Sequence, residues 1–262
     1  MRLGLIGKDV SKSDSERIHK FILREMGVDC AYRCVSTDAD GFDSEVKRLL
    51  AETDGFNVTI PYKLSVMSYL NETVGQANDF GAVNTVLTAT KKGYNTDGLG
   101  FMQMLAAAGI AVNGKRVLVL GMGGSGRSTA VALKNAGANV YAYQRNAEKL
   151  ASVCKELGLQ AVENPETFQG EIVVNCTGVG MHQTEGVSPV SKQAFLGKET
   201  AVDLIYTPAE SEFLRLAKSC GLNTINGASM LFYQAYFADC LYLGIEPSGE
   251  YAQRLYEKYL KE

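Results

Sequence analysis

The chain has 262 residues, 46% hydrophobic and 21% charged, with a net charge of -3, which suits an ordinary globular protein of one large domain or two modest ones. Its 26 Lys and Arg are scattered rather than clustered, so there is no electrostatic footprint for nucleic acid. No apolar run approaches the ~20 residues of a membrane span, the apolar stretch of MRLGLIGKDV is too short for a signal peptide, and a cytoplasmic protein without membrane partners is expected.

The first hundred residues alternate short apolar runs with amphipathic ones. RLGLIG reads as a strand, residues 15 to 26 as a helix, AYRCVS as a strand, FDSEVKRLLAE as a helix, GFNVTI as a strand and YKLSVMSYL as a helix. This alternation implies an α/β layer with a mainly parallel sheet. In GFNVTIPYK the apolar side chains of Phe56, Val58 and Ile60 alternate as on a strand with one buried face, leaving Asn57 and Thr59 to face either water or a cleft. Pro61 would start a helix that delivers Lys63 to the same cleft. GAVNTVLTATKKGYNTDG reads as a hairpin with Lys91, Lys92 and Gly93 near its turn, and LGFMQMLAAAGI as a long apolar-faced helix that could link two domains.

The pattern restarts at KRVLVLG. A glycine-rich turn, a helix, the strand NVYAYQR, a helix from about 147 to 157 and the strand EIVVNCTG follow, and AVDLIY and NTING complete a second α/β unit. From about residue 228 the chain is helical. ASMLFYQAYFADCLYLG is apolar nearly all round in its first half and is expected to be buried, whereas GEYAQRLYEKYLKE has a charged outer face.

VLVLGMGGSGRS sets Gly121, Gly123 and Gly126 in a G-x-G-x-x-G spacing. The glycines follow an apolar run and precede a helix, which lets backbone N–H groups, including those of Gly124 and Ser125, approach a pyrophosphate at the helix N-terminus. The next strand should end near the adenosine ribose. There YAYQRNAEK offers Gln144, Arg145, Asn146 and Lys149 and no acid, so NADP is favoured over NAD.

Six cysteines (Cys30, Cys34, Cys154, Cys176, Cys220 and Cys240) lie far apart with no C-x-x-C, so neither a zinc ribbon nor a redox motif is supported and mostly buried, reduced thiols are expected. Only His19 and His182 are available as imidazoles, which leaves little for a metal site and limits the choice of general base.

On residues alone, SKSDSE reads as a helix N-cap, Lys63 as a solvated charge and Asp97 as the N-cap before GLGFMQML. In order along the chain, however, SKSDSERIH, NVTIPYK, GAVNT, NTDG, the glycine turn, NCTGVGM, DLIYTP and NGASMLFYQ resemble the shikimate dehydrogenase family over nearly the whole length. The resemblance implies an α/β protein with an N-terminal substrate domain (1–100 with 230–262), an NADP-binding Rossmann domain (101–229) and a cleft between them. It implies NADP-dependent interconversion of shikimate and 3-dehydroshikimate in aromatic amino-acid biosynthesis. Lys63 and Asp97 match the proton-transfer pair, Ser13 and Ser15 the serines that hold the substrate carboxylate, Thr59 and Asn84 the contacts with ring hydroxyls, and Gln234 another polar contact with the substrate. Asn57 matches the motif but could equally brace the loop. Thr177 and Gly227 match positions around the nicotinamide, with Met230 and Tyr206 flanking the ring or the substrate.

The N-terminal motif departs from the family, with Asp9, Lys12, Glu16 and Lys20 in place of two prolines, a histidine and an asparagine. Asp9, Asp14 and Glu16 would weaken binding of an anionic substrate unless Lys12 or Lys20 offsets them. Gly126 stands where the family more often has alanine, and Gln144 and Asn146 replace an asparagine and a threonine. A quinate or aminoshikimate dehydrogenase, or a non-catalytic paralogue binding a cyclohexene carboxylate, stays open, as does a homodimer.

Overall fold

The apolar runs become strands of two separate six-stranded sheets in a computed structural model that describes residues 1–262. The chain divides with them into two units, Met1–Gln103 with Phe232–Glu262, and Met104–Leu231.

The first unit begins with β1 (Arg2–Gly7), α1 (Ser15–Glu25), β2 (Ala31–Ser36), α2 (Phe42–Glu52) and β3 (Gly55–Val58). After a turn and a 3₁₀ helix (Ser65–Tyr69) come β4 (Glu72–Thr73), α3 (Gln76–Phe80), β5 (Thr85–Leu87), β6 (Lys92–Tyr94) and the start of α4 (Asp97–Ala107). Strand order is β2-β1-β3-β5-β6-β4. The β1, β2 and β3 strands run parallel, and β5 is antiparallel to both of its neighbours.

The second unit holds β7 (Arg116–Leu120), α5 (Gly124–Asn135), β8 (Asn139–Tyr143), α6 (Ala147–Leu157), β9 (Gln160–Ala161), β10 (Ile172–Asn175), β11 (Thr200–Asp203), α7 (Glu212–Ser219) and β12 (Asn223–Asn226). Its sheet is wholly parallel in the order β12-β11-β10-β7-β8-β9. This is the doubly wound order, whose switch point lies between β7 and β10. The chain then passes along α8 (Ala228–Leu243) back to the first unit and ends in α9 (Gly249–Tyr259). No helix is long and apolar enough to cross a membrane.

In the first unit both faces of the β1–β3 layer are covered, and this changes the reading of GFNVTIPYK. Ile6, Phe56 and Val58 pack with Phe42, Val46 and Leu49 of α2 on one face, while Leu3, Leu5 and Tyr32 pack with Leu23 of α1 and Tyr242 of α8 on the other. Every residue of β3 is buried, Asn57 included. The alternation stops at Val58, since Ile60 is 72% exposed. Pro61 starts no α-helix: residues 61–64 form a turn into the 3₁₀ helix, so Lys63 sits on a loop. Fully burying an aromatic or aliphatic side chain such as Phe56 or Leu3 contributes about 1.5–3 kcal/mol, and such residues fill both layers.

Smaller differences have local causes. In the hairpin Lys91 lies in the turn with φ 51°, while Lys92 and Gly93 already pair in β6. AVDLIY leaves the sheet after Asp203. All six cysteines are free, but only Cys154 and Cys240 are buried, the others being partly covered.

Candidate active site

Lys63 and Asp97 meet because two loops of the first unit are tightly tied. The Thr59 N–H donates to the Ile6 carbonyl (2.9 Å), and the Tyr62 and Val83 N–H groups to the carbonyls of Thr59 and Lys63. The Tyr62 ring stacks on Phe42 at 4.2 Å and its hydroxyl donates to the Thr37 carbonyl. The turn is anchored on both sides of Lys63, whose Nζ donates to Asp97 Oδ2 at 2.6 Å.

Asp97 is the first residue of α4, where the helix dipole favours a negative charge. It does not cap that helix. Instead Asn95 accepts the Asp97 N–H (3.0 Å) and donates to the Ala82 carbonyl, which frees the Asp97 carboxylate for side chains. Its Oδ1 accepts from Asn84 Nδ2 (2.8 Å), and Asn84 Nδ2 also approaches Gln234 Oε1 at 3.4 Å. Lys63, Asp97, Asn84 and Gln234 are therefore one cluster drawn from a loop, the start of α4, the residue before β5, and α8.

Ser13 and Ser15 form a separate pair, with Ser13 Oγ donating to Ser15 Oγ (2.9 Å) and accepting the Ser15 N–H (3.2 Å). Ser15 is the first residue of α1 and not its cap; the cap position belongs to Asp14, which makes no capping bond. Of the acids in this segment, Glu16 pairs with Lys20 (2.6 Å) and Asp14 with Arg17 (3.6 Å), whereas exposed Asp9 has no ion pair and accepts from the N–H and hydroxyl of Ser11. Lys8 and Lys12 remain exposed in the same loop. Thr59 is half-buried beside Gly7, and its side chain makes no bond to the cluster. Asn57 is turned into its own unit, bonded to Tyr32, Thr85 and the Asn84 carbonyl. Tyr206, 38% exposed, belongs to the second unit.

The glycine turn of the second unit lies at the β7–β10 switch point. Gly121 has φ +87°, and a methyl group there would press on Thr177 at 2.7 Å. Gly126, on the first turn of α5, lies so close to the Gly121 carbonyl oxygen that a Cβ would sit 1.8 Å from it. Glycine is thus required here rather than merely tolerated in place of alanine. Gly123 and Gly124 instead have open space where a side chain would project. Together with Ser125 they present backbone N–H groups at the start of a twelve-residue helix, a cradle that fits a pyrophosphate. At the end of β8 Arg145 is exposed with no ion pair, beside half-buried Gln144 and exposed Lys149; Asn146 Oδ1 caps α6 by accepting the Lys149 N–H. A free guanidinium and no carboxylate acceptor at this point suit a 2'-phosphate. A Cβ added at Gly227 would sit 2.1 Å from the Leu204 carbonyl oxygen, and Met230 is buried in α8.

A buried polar network behind this turn has no counterpart in the sequence reading. Asn175 Oδ1 accepts the N–H and the hydroxyl of Thr177, and Asn175 Nδ2 donates to Asp203 Oδ1 (3.0 Å). Asp203 also accepts from the Ile205 N–H and from Ser211 Oγ (2.5 Å). Asp203 is fully buried, and burial pushes its carboxyl up to about 6 against the lowering effect of these donors. In the first unit His19 Nδ1 meets Asp239 Oδ1 at 2.6 Å, linking α1 to α8; both are buried, and burial raises the Asp239 carboxyl. The strings NCTG, DLIY and FADC hold these residues, but only tertiary packing reveals that their polar atoms have no access to water.

Comparisons with known proteins match two successive stretches of the chain to different families. The family described as shikimate dehydrogenase substrate binding domain matches residues 5–86, and that described as D-isomer specific 2-hydroxyacid dehydrogenase, NAD binding domain, matches residues 86–188. A shikimate dehydrogenase (NADP(+)) of Thermus thermophilus is 35% identical over 253 residues, covering 95% of each chain. That of Clostridium botulinum Loch Maree is 37% identical over 90% of this chain and 93% of its own. A crystal structure of the T. thermophilus shikimate 5-dehydrogenase in complex with NADP(H) and shikimate superposes with a TM-score of 0.90 at 33% identity, over 98% of this chain and 99% of that one.

Proposed function

The chain belongs to the shikimate dehydrogenase family, and from that premise we propose that it interconverts 3-dehydroshikimate and shikimate with NADP, with Lys63 and Asp97 as the proton-transfer pair. The observation that carries the reading is the ion pair at 2.6 Å, its carboxylate gripped by Asn84, within the unit that holds the serine pair. In aromatic amino-acid biosynthesis the reaction would run as reduction.

The Gly121–Gly126 turn, Gln144, Arg145 and Thr177 would hold NADPH, which when bound would supply the hydride. The Lys63 ammonium has three donors, of which one is committed to Asp97. Another donates its proton to the ketone oxygen as negative charge develops there, and in the oxidation direction the amine takes that proton back. With its side chain 16% exposed, Lys63 recovers its proton from water between turnovers. Asp97 holds the amine in place through Oδ2 while Asn84 fixes Oδ1, so the pair enters the reaction already oriented. The Ser13 and Ser15 hydroxyls rotate to donate to the substrate carboxylate without bringing a charge of their own. Gln234, its amide beside Asn84, would add a further polar contact with the substrate.

The test is steady-state oxidation of shikimate, quinate and an aminoshikimate with NADP⁺ and NAD⁺ in parallel, followed at the absorbance band of the reduced nicotinamide. Shikimate with NADP⁺ should be the best pair. Folded protein that turns over quinate or the aminoshikimate in preference moves the substrate assignment, and one that turns over none of them removes the enzymatic reading.

A further inference from the structure

We propose that Thr85 is a positioning residue for the Lys63–Asp97 pair, its hydroxyl locking the Asn84 amide in the one orientation that donates to Asp97. The inference rests on the function proposed above and adds a residue outside the substrate and cofactor contacts.

The Asn84 amide has two orientations half a turn apart, with donor and acceptor exchanged. In the structure Nδ2 faces Asp97 Oδ1, and Oδ1 accepts the Thr96 N–H (2.9 Å) and the Thr85 hydroxyl (2.8 Å). The opposite orientation would set a carbonyl oxygen against a carboxylate and an NH₂ against an N–H. The Thr85 hydroxyl has no freedom to reverse, because its other neighbour, Asn57 Nδ2 at 3.2 Å, is itself a donor. Asn57 is oriented in turn: its Oδ1 accepts from the Tyr32 hydroxyl (3.1 Å), and its Nδ2 also reaches the Asn84 carbonyl (3.3 Å). Burial holds the Tyr32 phenol well above its ordinary pKa, so it remains a donor.

The result is a polarised line of hydrogen bonds running from Tyr32 through Asn57, Thr85 and Asn84 to Asp97, each hydrogen pointing toward the carboxylate. Sheet geometry builds it. Tyr32 and Gly55 stand opposite Leu3 on either side of β1, Asn57 stands opposite Leu5 on the same face, and Thr85 pairs with Asn57 across β3 and β5. Thr85 is 0% exposed and Asn84 3%, so water cannot replace a missing partner. In such a line each bond polarises the next, and removing a middle member loosens both sides.

The experiment compares wild type, Thr85→Val, Thr85→Ser and Tyr32→Phe in shikimate oxidation with NADP⁺. Valine keeps the shape and deletes the hydroxyl, so kcat should fall about tenfold, the size of one net hydrogen bond, while the KM for NADP⁺ stays unchanged. Serine should restore kcat. A Thr85→Val enzyme with wild-type kcat overturns the inference, and so does a Thr85→Ser enzyme as slow as the valine variant, because then shape and not the hydroxyl matters. If the valine variant does not fold, Tyr32→Phe decides: a kcat lowered with the NADP⁺ KM intact supports the line, and an unchanged kcat overturns it. Wild type inactive on shikimate would instead remove the function on which the inference rests.

Discussion

Asp203→Asn should flatten one segment of the pH–stability curve. The ordinary aspartate value is 3.8, and burial moves the folded-state carboxyl up to about 6. Between those values the folded chain keeps a proton that the unfolded chain has released, so stability falls as pH rises. The contribution is fully present below pH 3.8 and lost as pH passes about 6. At about 1.4 kcal/mol per pH unit, the whole span is worth about 3 kcal/mol. Asparagine keeps the shape and can still accept from Asn175 and the Ile205 N–H, while Ser211 Oγ turns to accept. Urea unfolding of both proteins at pH 4, 5, 6 and 7 isolates the effect, because every other titrating group, buried Asp239 included, is common to the two. Because pH 4 already lies above the ordinary aspartate value, the stability of wild type relative to the variant should drop by roughly 2–2.5 kcal/mol from pH 4 to pH 7. Parallel curves would refute the argument that burial outweighs the three donors.

Lys63→Ala should lower kcat by about 10²- to 10⁴-fold, the usual share of a general acid–base group, with a KM for shikimate changed only a few-fold. A variant that loses affinity and keeps turnover would show a binding lysine instead. Arg145→Ala should raise the KM for NADPH by about 10- to 100-fold, as expected for lost charge-assisted bonds, and leave that for NADH nearly unchanged; equal effects on both cofactors would remove the 2'-phosphate contact.

The second unit follows closely from local patterns. Its central strands β7, β10 and β11 are mostly apolar runs buried on both sides, α6 spans residues 147–157 as its pattern predicts, and Asn146 caps it as an asparagine should. The first unit shows where such reasoning stops. Asn57 and Thr59 look equivalent in the string NVTI, yet the first is sealed among Tyr32, Thr85 and Asn84 and the second is half-buried at the strand's end. The difference depends on β5 and α8, which pair with or cover the β1–β3 layer from far along the chain, and no local window contains them. Motif order singles out Lys63 and Asp97, while their direct bond is a property of the turn at 61–64, where Pro61 suggests a helix and none forms. Very short elements such as β4 and α3 carry too few residues for periodicity to register.

The discontinuity of the first unit has a consequence for its biosynthesis. When the ribosome has finished Gln103, the face of β1–β3 that carries Leu3, Leu5 and Tyr32 still lacks Tyr242, and His19 lacks Asp239. At roughly 5–20 residues per second, the intervening Met104–Leu231 segment occupies translation for on the order of ten seconds. During that interval the nascent chain carries an open apolar sheet face, and the dinucleotide unit emerges whole before the earlier one can close. Vectorial synthesis therefore reverses the order of completion, and chaperone demand in the cell would fall on the half of the protein that is made first.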